Sequence, residues 1–91
     1  MSLRRWSHSI NIKQFLKEGE QVSSIVTNVK RELDRLPESL RLSDTWAWDE
    51  IIEGFDEAAE EENVELFDDA LSNLYDWADE NRVWLGVRGA S

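Results

Sequence analysis

Residues 43–62 read SDTWAWDEIIEGFDEAAEEE, and two patterns share this stretch. Trp48, Ile51, Ile52, Phe55 and Ala59 recur at three- and four-residue intervals, the spacing of one apolar stripe on an α-helix. Asp49, Glu53, Asp56, Glu57 and Glu60 fall on the face turned away from that stripe. Ser43 or Asp44 supplies the side-chain oxygen that such a helix needs at its N-cap. A helix of this kind must bury its stripe against something, so the fold turns on what the flanking sequence offers.

Both flanks offer more helix. Downstream, Asn63 is placed to cap a helix with Val64, Phe67, Leu71, Leu74 and Ala78 inward. Upstream, Val22, Ile25, Val26, Val29, Leu33 and Leu36 mark one face of a helix over residues 20–36, which Pro37 ends. Gly19 separates it from a short helix over residues 11–18, where Asn11 followed by Gln14 resembles a capping box. The run Val83-Trp84-Leu85-Gly86-Val87 suits either a short strand or an extended segment. With no second strand evident, it reads as an irregular tail laid over the bundle. The fold class expected is therefore all-α: a small bundle of three longer helices, a short N-terminal helix and an irregular C-terminal tail. Its 91 residues leave little room for a second domain, so residues 1–91 read as a single acidic helical domain.

Charge is the strongest functional signal. Twenty acidic residues against ten basic ones give a formal charge of -10, and the distribution is uneven. Residues 43–81 hold fifteen acids and no base, whereas residues 1–42 hold eight Lys/Arg and five acids. Like charges stand four apart at 49/53, 53/57, 56/60, 57/61, 61/65, 65/69 and 76/80, and each such pair opposes helix formation by roughly 0.2–0.5 kcal/mol at low salt. From Asp49 to Glu62 there are eight carboxylates, about one per 2.5 Å of helix axis at a rise of about 1.5 Å per residue. Duplex DNA presents about one charge per 1.7 Å. The density is comparable, so this face can stand in for a phosphate backbone before a basic groove. The competing reading is a solvated face, or one paired internally with Lys13, Lys17, Lys30, Arg31 and Arg35.

Five tryptophans form the second signal. Trp48 belongs to the inward stripe, while Trp46 projects nearly opposite to it wherever the helix includes both. On the last helix Leu66, Ala70 and Trp77 make a second stripe about 100° from the first. Either another segment of the chain covers that stripe or it meets a partner, a second copy included. Gly54 inside the acidic helix costs about 1 kcal/mol relative to alanine, which points to a close helix approach or a kink.

The chemistry of catalysis is hard to find. Without cysteine there is no thiol nucleophile and no Cys-ligated zinc, and the sole histidine, His8, has no second His as a metal co-ligand. No Gly-rich phosphate loop, nucleophile elbow or calcium loop occurs. The acids line a helix face and diverge, so neither a dedicated metal site nor a raised-pKa acid follows from them. No enzyme activity, cofactor or metal is expected. Acidity argues against direct binding of nucleic acid or anionic membrane, and Arg4-Arg5-Trp6 is the only basic aromatic patch. Apolar runs no longer than three residues leave no membrane span, and a cytoplasmic location is expected.

The expected function is a non-catalytic acidic protein-binding module, an inhibitor of the DNA-mimic, immunity or antitoxin type that covers a basic nucleic-acid-binding or nuclease surface. Its partner-binding residues are Asp49, Glu53, Asp56, Glu57, Glu60, Trp46 and Trp77. The alternative is a small helical assembly or adaptor protein that uses tryptophan-bearing apolar surfaces, as a homodimer among other forms.

Overall fold

A computed structural model of the chain describes residues 8–17, 19–42 and 45–86. The apolar periodicity becomes helix wherever it is long. Helix α1 spans Val22–Leu33, α3 spans Thr45–Glu61 and α4 spans Val64–Glu80, with a short α2 at Glu38–Leu42. The architecture is all-α in its main elements. Helix α2 adds one turn that the apolar pattern does not announce: Pro37 stops the α1 stripe, and its own carbonyl then accepts from the amides of Leu40 and Arg41. The expected caps at Ser43 or Asp44, and the Arg4-Arg5-Trp6 patch, lie outside the described residues.

Asn63 caps α4 as its sequence position predicts, its side chain accepting from the backbone amides of Glu65 and Leu66. The turn before it is closed by Glu62 in the left-handed region at φ 50°. The amides of Glu62 and Asn63 reach back to the carbonyls of Ala59 and Ala58, a Schellman-type end to α3. Helix therefore stops between residues 61 and 65, and the like charges there are not stacked on one helix. The other six pairs four apart are.

The seam between α3 and α4 is rotated from the one expected. Trp48, Ile51, Phe55 and Ala58 are buried on α3, and Phe67, Ala70, Leu74, Trp77 and Ala78 on α4. Ile52, Ala59 and Leu71 are only partly buried, and Val64 in the first turn of α4 is 62% exposed. Gly54 is the cause. A Cβ placed there would lie 3.1 Å from the Cβ of Ala70, so the two helices touch backbone to small residue at that level. Rings pack on either side of the contact: Trp48 and Trp77 have centroids 4.8 Å apart, and Phe55 and Phe67 5.6 Å apart, both pairs tilted. Pairings of 48 with 77, 54 with 70 and 55 with 67 make the two helices antiparallel.

Because the Cβ of Ala70 cannot rotate away, a larger residue at 54 must force the helices apart. Gly54→Leu is expected to lower stability by about 1–3 kcal/mol despite its better helix propensity. Denaturant unfolding checks this, and a gain in stability would mean that the approach is not tight.

The first and last described segments meet, so Val83–Trp84 is a short strand in place of the expected irregular segment laid over the bundle. Strand β1 at His8–Ser9 pairs in parallel with β2 at Val83–Trp84, and beyond the pair Ile12 donates its amide to the carbonyl of Leu85. The second strand is too short and too polar to be recognised, since its inward residues follow it at Ile10 and Ile12. Those two, with Val83 and Leu85, are buried. Gly86 adopts φ 85° where a Cβ would run into Asn11, so only glycine lets the segments run this close. The expected short helix over 11–18 contracts to a 3₁₀ turn at Lys13–Phe15. Asn11 Oδ1 accepts from the amide of Lys13, and Gln14 Nε2 donates to the carbonyl of Asn11.

Candidate protein-binding surface

On α3, successive residues turn by about 100°, which puts Asp49, Glu53, Asp56, Glu57 and Glu60 within one arc opposite the buried Trp48, Ile51, Phe55 and Ala58. All five acids are exposed. Trp46 lies on the same side, in the first turn of the helix, and is 76% exposed. Six of the seven residues expected to meet a partner are thus gathered along one helix.

Trp77 is the exception. It is only 4% exposed and packs on Trp48, so it belongs to the core and offers no free surface for association. The stripe of Leu66, Ala70 and Trp77 is covered from within the chain: Ala70 lies under Gly54, Trp77 meets Trp48, and β2 packs on α4.

Internal pairing takes up little of the acidic face. Lys30 Nζ lies 2.6 Å from Asp56 Oδ1, an ion pair between α1 and α3 that is half open to solvent. Arg35 instead pairs with Glu32 on its own turn, and Arg41 with Asp34. Among the described residues, Asp49, Glu53, Glu57 and Glu60 have no basic partner. Such exposed pairs contribute about 0–1 kcal/mol, so the Lys30 contact bridges α1 and α3 weakly and does not neutralise the face.

Glu62 has a structural use that its place in the acid run does not reveal. Its carboxylate reaches the start of α1, accepting from the backbone amides of Val22 and Ser23 at 2.8 and 3.2 Å. Amides at a helix N-terminus lack intrahelical acceptors, and a carboxylate there also suits the helix dipole. The hydrogen bond with the Ser23 side chain, opposed by partial desolvation and helped by the two amides, holds the carboxyl below its ordinary value of 4.5. A lowered folded-state value means that this cap acts in full above about pH 4.5 and is lost as pH falls through the folded value. Glu62→Gln is therefore expected to melt below the parent at pH 7, with the gap closing in acid. A gap that stays constant in melts from pH 7 to 3 would show that the charge is not what matters. Forty residues separate donor from acceptor, so no local sequence signal announces this contact.

Near the start of α3 and the end of α4, a groove of about 220 Å³ is lined by Trp46, Glu50, Asp76, Trp77 and Glu80 among others. Three of these are carboxylates, two from the helix paired with α3, and sequence spacing alone does not bring them together. Among the described residues no three His, Asp or Glu side chains converge as a metal ion would require, and no helix is long and apolar enough to cross a membrane. Comparison with models of known protein families, with characterised proteins and with solved structures finds no match.

Proposed function

We propose that the chain is a non-catalytic, cytoplasmic binding protein that presents the acidic face of α3 to a basic protein surface, as an inhibitor that covers a nucleic-acid-binding or nuclease site. The observation that carries this reading is the row of Asp49, Glu53, Glu57 and Glu60, all exposed and none paired with a base among the described residues. Repulsion along such a row opposes the helix that bears it, and a basic partner relieves it. A helix held by the core on its opposite face presents the charges preorganised, with little ordering left to do on binding. Burial of Trp77 removes one of the two tryptophans on which the adaptor alternative relied; among the described residues the large apolar side chains left exposed are Leu42, Trp46 and Val64.

The experiment is capture from a lysate at low salt, elution at high salt, and a challenge of the eluted protein with duplex DNA or RNA. The reading expects a basic protein that releases its nucleic acid, or stops cleaving it, when this chain is added. A partner that keeps its nucleic acid while bound would contradict it.

A further inference from the structure

The groove between the start of α3 and the end of α4 combines an open indole with three acids and, among the described residues, holds no basic one. Trp46 is 76% exposed at its edge. Glu50, Asp76 and Glu80 are exposed and, among the described residues, unpaired with any base. A second observation points to an occupant. Trp77 lines the same groove at 4% exposure, and its Nε1 is buried with no acceptor among the described residues. Native proteins keep such orphan donors to a few.

We infer that this groove receives an arginine side chain of the basic partner, stacked on Trp46 and held by Glu50, Asp76 and Glu80. The inference rests on the acidic-face reading and supplies its anchor. A guanidinium is planar, weakly hydrated and carries five N–H donors in a fixed fork, so it can stack on an indole and serve several carboxylates at once. A lysine ammonium, compact and strongly hydrated, cannot do both. Trp77 forms the buried wall of the groove, so its indole N–H, which lacks an acceptor among the described residues, senses an occupant without being open to it. Buried aromatic and arginine contacts carry most of the energy of an interface, whereas open charges chiefly speed encounter. The groove therefore governs how long the complex lasts.

The test titrates the full chain with a short blocked arginine peptide and a lysine peptide of equal length at matched ionic strength, following the indole N–H resonances by NMR. The arginine peptide is expected to bind several-fold tighter, to move the Trp46 and Trp77 indole signals together, and to fall to the level of the lysine peptide in both Trp46→Ala and Glu50→Gln. Equal affinities, or shifts spread along α3 that leave the Trp46 indole still, would overturn the groove while leaving the acidic face in place. If neither peptide binds at low salt, the acidic-face reading fails as well.

Discussion

Trp77→Ala is expected to lower the stability of the chain by about 3–5 kcal/mol, which for a domain with only about 5–15 kcal/mol in total means a large fall in melting temperature or outright unfolding. The side chain is 4% exposed and its ring centroid lies 4.8 Å from that of Trp48. Truncation thus removes buried apolar area, leaves a cavity at the α3–α4 seam and deletes a ring pair that contributes a further 0.5–1.5 kcal/mol or so. Trp46→Ala, two residues from Trp48 on the same helix, is expected to change stability by no more than about 0.5 kcal/mol, because its ring is mostly in solvent. Thermal melts followed by circular dichroism separate the two. Near-parental stability of Trp77→Ala would remove the Trp48–Trp77 contact from the account of the fold.

These two tryptophans also show what the sequence could convey. Trp46 and Trp48 are two positions apart, which on a helix sends them to nearly opposite faces, so their different fates are legible from spacing once the helix is known to begin at Thr45. Trp77 was ambiguous by the same arithmetic. Its stripe, with Leu66 and Ala70, differs from that of Leu71 and Ala78 only by a rotation about the helix axis, and that rotation is set by a residue on the other helix. Gly54 allows the approach at Ala70, and the seam swings toward Trp77 and away from Leu71. Single-helix periodicity cannot report a constraint that lives on a neighbour.

The same limit applies at the ends. Val83 and Leu85 alternate as a strand should, but their partner is the two-residue segment His8–Ser9 at the far end of the chain. Glu62 looked like one more acid in a run, and its role appears only where the fold brings Val22 and Ser23 to it. By contrast, the exposed row on α3 was legible because it depends on one helix and its own periodicity. The carboxylates of the groove were not, since Asp76 and Glu80 come from α4.

Replacing Glu53, Glu57 and Glu60 by glutamine removes three charges and interrupts all four like-charge pairs of α3, while glutamine keeps the helix propensity of glutamate. Asp56 stays, so the ion pair with Lys30 and the packing of α1 on α3 are undisturbed. Helix content and stability should therefore hold level or increase. Association with the basic partner captured at low salt should instead slow by about tenfold or more at low ionic strength, because a row of like charge raises the local concentration of a complementary surface and accelerates encounter by about 10- to 1000-fold. Dissociation should change less, since open charges steer more than they hold. At high salt the Debye length contracts to a few ångströms and the difference in rate should nearly vanish.

The most direct measurement is thus the association rate constant of that partner with the parent chain and with the Glu53→Gln, Glu57→Gln, Glu60→Gln variant, each at low and at high salt. The account predicts a variant that is well folded, associates at least about tenfold more slowly at low salt, and converges with the parent at high salt. Equal rates at both salt concentrations would contradict it and leave the acidic face of α3 without a part in binding.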